Sequence, residues 1–293
     1  MKKFVISVII SVFIVFIVDI IFYTIDVYNV NRLLEKKGLS FRYKWQYSII
    51  TKSRTLEDVL NSDFREPINL KSKKSPIIIF GCSYAYGENL NADENLGANL
   101  AKLTNRPVYN FGISGFGVQH FLALLKNKDF SDIKNPEYIV YVYIHDHIRR
   151  MYSKYFEFLD KMLYFRYVYK NGDFVEDFKN DFNLYLYRKS HVVYVKNLID
   201  NPKNYDKNFL MLSKYLERAN LLIKKRFPNA KFIIYVYEDS DNYNWKIIEN
   251  MGIKVVKNSD LSKVKSMKMS DGHPSAEAWK YYTPIFIKEA GIK

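Results

Sequence analysis

The chain has 293 residues and a mass of 34.8 kDa, enough to bury a full core as one large domain with a small extension. Hydrophobic residues make up 48% and mean hydropathy is −0.24, which excludes a disordered chain. The net charge of +14 comes from Lys and Arg scattered from Lys2 to Lys293 among Asp and Glu, with no basic block or basic helix; no nucleic-acid partner is expected, and the Lys-rich surface suits an anionic polymer or lipid headgroups instead.

Residues 4–25 open the chain with an apolar run, interrupted only by Asp19 among its charged residues, and preceded directly by Lys2 and Lys3. Its length of about 20 residues is what a helix needs to cross a bilayer. The two lysines predict a cytoplasmic amino end and an extracytoplasmic remainder, although Lys36 and Lys37 flank the other side. Tyr23-Thr24-Ile25-Asp26-Val27-Tyr28 offers no small-x-small cleavage site, so residues 1–26 are expected to remain as a membrane anchor. Residues 27–74 are polar and weakly periodic, and read as a stalk with short helices, one of them around 55–61.

From residue 75 the pattern becomes regular. Pro76 to Phe80 is a continuous apolar run, as expected of a strand covered on both faces. Further strands are predicted at 106–112, 137–144, 231–237 and 252–257, with helices at 96–103, 118–125 and 209–225 between them. Ser275 is the expected N-cap of a closing helix that runs to Ala290. This alternation predicts an α/β three-layer sandwich with a central parallel five-stranded sheet, whose site lies at the carboxyl ends of its strands.

One stretch, about 149–207, breaks the alternation and is dense in Tyr and Phe. Asn171-Gly172 within it is a hairpin turn signal. It reads as an insertion after the third strand, either a lid or stacking surface for sugar rings or a satellite hydrophobic cluster. The single cysteine, Cys82, excludes an intrachain disulfide and reads as a small buried thiol.

Four clusters of chemically useful residues fall at predicted strand ends. Ser83 follows the first strand in Gly81-Cys82-Ser83-Tyr84-Ala85-Tyr86-Gly87, and Asn110-Phe111-Gly112-Ile113-Ser114-Gly115 closes the second. His145-Asp146-His147 follows the third, and Asp271-Gly272-His273-Pro274 precedes the last helix. A neutral serine needs a base within hydrogen-bond reach, a group to orient that base, and donors for the developing oxyanion. These clusters hold candidates for each on one rim of the sheet.

In these blocks the chain resembles the SGNH hydrolases, also called the GDSL family. Gly81-Cys82-Ser83-x-x-x-Gly87 matches the family's Gly-Asp-Ser-x-x-x-Gly except at the Asp, and Asn110-x-Gly112-x-x-Gly115 matches its second block. The resemblance implies an SGNH hydrolase-like, flavodoxin-like domain over 75–293, with Ser83 as nucleophile and His273 as base. It implies an oxyanion hole that includes the backbone N–H groups of Ser83 and Gly115. Where the family has Gly-x-Asn-Asp, this chain has Ile144-His145-Asp146-His147; an imidazole N–H of His145 is the expected substitute for the Asn amide, with Asp146 the alternative in a shifted alignment. Where the family has Asp-x-x-His-Pro, the acid here is only two residues from the base, so Asp271 is expected to reach His273 through the freedom of Gly272, or else a backbone carbonyl orients the imidazole. His147, His120 and His191 are read as structural.

Rival readings fit less well. The α/β-hydrolase elbow wants a glycine two residues past the serine, where Ala85 stands, and no Gly-Lys-Ser/Thr supports a phosphate-binding loop. His145-x-His147 supplies only two positions of a metal site, so neither metal nor cofactor is expected. The resemblance and the predicted address together imply a serine esterase acting on ester-linked acyl groups, O-acetyl foremost, of cell-envelope glycans or on small acyl esters. An O-acyltransferase using the same site and a non-catalytic glycan-binding or assembly protein are the alternatives; membrane contact is expected through the amino-terminal helix.

Overall fold

The structure, a computed structural model, describes residues 13–14, 17–18, 56–152, 167–170, 173–176, 205–238 and 243–293. The chain divides into two units, one of Met1–Ser53, Ser153–Lys161 and Phe178–Lys203, the other of Arg54–Tyr152, Met162–Asp177 and Asn204–Lys293. In the first unit only residues 13–14 and 17–18 are described, and they are helical. The full anchor expected at 4–25 therefore lies outside the described residues. Among the described residues no helix is long and apolar enough to cross a membrane.

The second unit is built on alternating strands. In β2 (Ile77–Gly81), Ile78 and Phe80 enter one apolar cluster while Ile77 and Ile79 enter another on the opposite face. The same period of two divides β4 (Tyr138–Ile144), with Ile139, Tyr141 and Tyr143 on one side and Tyr138, Val140 and Val142 on the other. It recurs in β7 (Lys231–Glu238), where Phe232 and Ile234 oppose Ile233 and Tyr235. A strand apolar on both faces must be covered twice, and helices supply both covers. α4 (Val118–Asn127) and α6 (Tyr205–Arg226) contribute to the first cluster, while α3 (Leu96–Thr104) and α9 (Ala276–Ala290) contribute to the second. Ser275 caps α9 as expected, its Oγ accepting from Ala278 N at 3.2 Å.

The main sheet runs β1-β3-β2-β4-β7-β8, with β1 at Arg65–Ile68, β3 at Val108–Gly112 and β8 at Lys254–Lys257. Its five parallel strands, counted along the chain, lie in the order 2-1-3-4-5, the expected flavodoxin-like arrangement. The correction is a sixth strand. β1 (Arg65–Ile68) pairs antiparallel with β3, placing Arg65 opposite Asn110. It comes from the segment read as stalk, as does α1 (Leu56–Leu60), whose Val59 is fully buried in the first cluster. Pro67 lacks an N–H and is admitted to a sheet on an edge strand, which is where β1 lies.

Two short strands, β5 (Tyr167–Lys170) and β6 (Asp173–Glu176), form the hairpin that Asn171-Gly172 predicted. Phe174 is buried against Tyr215 of α6, with ring centroids 4.1 Å apart. This part of the insertion joins the hydrophobic cluster; its two ends, 149–152 and 205–207, are helical, and the remainder, with any lid, lies outside the described residues.

Candidate active site

Ser83 begins a single helical turn, α2 (Ser83–Tyr86), directly after β2, and Gly87 ends it in the left-handed conformation. The turn sits close against the end of β3. A Cβ at Gly112 would lie 2.6 Å from Tyr86 N and 2.7 Å from Ala85 Cβ, so the second block needs its first glycine for contact. Asn110 of the same block is buried and braces both segments. Its amide donates to Ala85 O at 2.6 Å, and its Oδ1 accepts from Gly112 N at 2.9 Å. Ser114 Oγ adds a hydrogen bond to the Glu88 carboxylate.

A residue missed in the sequence completes this support. Arg65 of β1 donates from Nε to Tyr86 O at 3.0 Å and from Nη2 to Gly87 O at 2.8 Å and Leu90 O at 2.9 Å. Its guanidinium also lies 4.3 Å from the centre of the Tyr86 ring. The edge-strand signature of Pro67 was the available clue that this arginine belonged to the sheet.

Opposite Ser83 stands the loop 271–273. His273 Nε2 is 2.8 Å from Ser83 Oγ, the contact a serine nucleophile requires. Asp271 Oδ2 lies 3.3 Å from His273 Nδ1, but the approach is outside the hydrogen-bonding direction of that nitrogen. Its Oδ1 instead accepts from His273 N at 3.0 Å, while Asn89 Nδ2 donates to Oδ2 at 2.5 Å. The two-residue spacing causes this: the carboxylate folds back over its own loop, and Gly272 at φ +89° makes the tight turn. Burial pushes the Asp271 carboxyl up, and the His273 N–H, the charge of His273 and the Asn89 amide more than reverse that, leaving it below the usual carboxylate range. The acid is therefore ionised beside the imidazole.

Tyr84 ties the two loops together. Its hydroxyl donates to Gly272 O at 2.9 Å and its ring lies 5.4 Å from that of His273. Burial, aided by the charge of Glu238, raises the phenol above its ordinary value and keeps it a donor.

A cleft of about 470 Å³ opens over these groups. Ser83, His145, Asp146, Asp271 and His273 all line it, so five of the residues singled out in the sequence meet. Ser83 and His145 follow β2 and β4, the neighbouring strands at which the strand order reverses. Gly115 is not among the lining residues. It sits at φ +82° in the loop after β3, next to Phe116, whose carbonyl accepts a 2.5 Å hydrogen bond from Arg150 Nη1. Arg150 lines the cleft and also went unnoticed in the sequence, where it lay inside the aromatic insertion.

The remaining histidines behave as core. His147 is fully buried, its Nδ1 2.7 Å from Tyr141 Oη, and burial together with the charge of Arg150 holds it well below the usual imidazole range. His120 Nδ1 accepts from Gly117 N at 3.0 Å while its ring stacks on Phe116. Cys82 is buried in the second cluster, and His191 lies outside the described residues. Among the described residues no group of three potential metal ligands occurs.

No protein-family model matches the chain, and no curated protein matches it. Similar solved structures do exist. One is an acetyl xylan esterase from the rumen bacterium Butyrivibrio proteoclasticus, 14% identical, with 74% of this chain and 65% of that chain covered and a TM-score of 0.45. A catalytic mutant of an acetylxylan esterase from Geobacillus stearothermophilus is 13% identical, with 76% and 96% covered and a TM-score of 0.41. A member of the lipolytic protein G-D-S-L family from Veillonella parvula is 14% identical, with 73% and 97% covered and a TM-score of 0.39.

Proposed function

We propose that the protein is a serine esterase of the SGNH type. The observation that carries this reading is the 2.8 Å contact of Ser83 Oγ with His273 Nε2, beside an ionised Asp271 and open to a cleft. His273 takes the Ser83 proton as Oγ attacks an ester carbonyl, and the carbonyl π electrons move to the oxygen. The backbone N–H of Ser83 is one donor to that oxyanion and an imidazole N–H of His145, which lines the same cleft, is the second. The tetrahedral intermediate collapses, the C–O bond to the alcohol breaks, and His273 returns its proton to the leaving oxygen. Water, deprotonated by the same imidazole, then attacks the acyl-serine; the bond from the acyl carbon to Ser83 Oγ breaks, the imidazolium returns its proton to Oγ, and the acid is released. Asp271 acts mainly through its charge, favouring the imidazolium that forms at each proton transfer.

The substrate class we propose is an O-acetylated glycan of the cell envelope. This is supported by the block resemblance and by the apolar run at 4–25 behind Lys2 and Lys3, which favours a single amino-terminal membrane anchor with the catalytic unit extracytoplasmic. The test uses the full-length protein in detergent, a fluorophosphonate probe and an aryl acetate. Labelling and turnover that vanish in Ser83→Ala and fall steeply in His273→Ala are expected. A folded wild type that neither labels nor cleaves the acetate sinks the esterase reading and leaves glycan binding; recovery of the acetyl group on an added glycan hydroxyl identifies a transferase.

A further inference from the structure

The acyl-transfer steps give a role to each ionisable group of the cleft that touches Ser83 or His273, but none to Arg150. Its Nη1 is engaged by Phe116 O at 2.5 Å. Its Nε is buried and has no acceptor, and Nη2 has none among the described residues either. No carboxylate of the described residues lies within ion-pair distance of the guanidinium, not even Asp146 one helical turn before it in α5 (Asp146–Tyr152). The other cation lining the cleft among the described residues is accounted for: Lys268 Nζ lies 2.5 Å from the Glu238 carboxylate. A partly desolvated guanidinium with no anion among the described residues is an expensive arrangement, and its planar fork, held here by Phe116 O, is suited to carboxylate or phosphate oxygens.

We propose that Arg150 is a subsite for an anionic group on the substrate, a carboxylate or a phosphate close to the scissile ester. The inference rests on the esterase reading of the same cleft and narrows it from acyl esters in general to esters of anionic molecules. The molecule's charge agrees with it, since a net +14 draws a polyanion toward the surface before any contact forms. At the cleft the long-range field gives way to one directed cation, which sets the orientation of the ester over Ser83. Arg150 is on this view a specificity residue; the bond-making groups remain Ser83 and His273.

Three aryl acetates of similar size test the idea on the full-length protein: 4-acetoxybenzoate, 4-acetoxyphenyl phosphate and the neutral methyl 4-acetoxybenzoate. The wild type is expected to favour at least one charged ester by about tenfold in kcat/KM, and whichever is favoured identifies carboxylate or phosphate as the ligand. In Arg150→Gln the charged-to-neutral ratio is expected to fall close to one, and in Arg150→Lys to lie between. A wild type without charge preference overturns the proposal. So does an Arg150→Gln variant that lowers charged and neutral esters by the same factor, because the guanidinium would then serve the reaction or the Phe116 loop. A binding arm separates this from failure of the esterase reading. Ser83→Ala titrated with galacturonate and glycerol phosphate, against galactose and glycerol, is expected to bind a charged member of a pair more tightly, and to lose that difference when Arg150→Gln is added. Anion binding without turnover of any ester refutes the esterase and retains the subsite; equal binding of charged and neutral compounds refutes the subsite whatever the turnover.

Discussion

The two loops that meet in the cleft are held in different ways. The Ser83 turn is gripped from outside, by Arg65 on β1, by Asn110 on β3 and by the Ser114–Glu88 pair. The His273 loop largely holds itself: Met269 N donates to His273 O, Gly272 N to Met269 O and Ser275 N to Met267 O, and a bridge joins Lys268 to Pro274. Its principal outside ties, Tyr84 and Asn89, come from the serine segment. The proposed nucleophile is thus held in place by the sheet and the proposed base by its own backbone. Damage far from the chemistry should therefore reach the reaction through Ser83 rather than through His273.

The sharpest test of the pairing is Ser83→Ala, which should lower kcat/KM toward an aryl acetate by on the order of 10⁶, with His273→Ala approaching it because the two act as a unit. Asp271→Asn should cost less. A well-aligned acid is worth roughly 10⁴, whereas this carboxylate meets the imidazole off the hydrogen-bond axis, so a loss of about 10 to 10² is expected from steady-state kinetics. A loss near 10⁴ would mean that the carboxylate swings onto the axis when substrate binds.

Arg65→Met breaks the comparison from the other side. It removes three hydrogen bonds and a ring contact from the serine turn while touching nothing in the His273 loop. Stability should fall by about 2 kcal/mol, seen as a drop in Tm of roughly 4–8 °C, and kcat should fall about tenfold below the melting range with KM little changed. Tyr84→Phe, which cuts one outside tie of the base loop, should lower kcat by less; the reverse order would overturn the contrast. A chain cut at residue 75, the boundary that periodicity suggests, loses β1 and should behave at least as badly as Arg65→Met.

The smallest expected effects are in the pH dependence of stability, followed by urea unfolding. His147 is neutral in the folded protein well below the pH at which a free imidazole charges, so the unfolded chain binds the extra proton first. Stability is then complete above about pH 6.5 and is lost as pH falls through that value, by at most about 1.4 kcal/mol per unit, and His147→Gln should flatten this slope. Asp271 acts at lower pH. Its folded value lies below the ordinary carboxylate range, so its contribution is present above about pH 4 and disappears as the pH falls through the lowered value. Asp271→Asn should remove that acid limb and leave the His147 slope in place.

Much of this protein is written in local pattern. Continuous apolar runs at 77–80, 138–144 and 232–237 can be satisfied only by strands covered on both faces, and Gly81 and Gly112 mark where the first two parallel strands end. The 2-1-3-4-5 order of the parallel strands then brings Ser83 and His273, 190 residues apart, to one rim. What the sequence did not disclose depends on directions in space. Arg65 sits in a polar stretch with little periodicity, and its value comes from strand pairing that faces it toward residues 21 to 25 positions away. The oblique Asp271, the position of Gly115 outside the cleft wall and an Arg150 that meets no carboxylate among the described residues are likewise matters of angle and neighbourhood. Hydrophobic period and turn chemistry are properties of a few adjacent residues and determine the layers of the fold. Hydrogen-bond geometry belongs to pairs that only the assembled sheet brings together, and it alone decided which side chains support, line and charge the site.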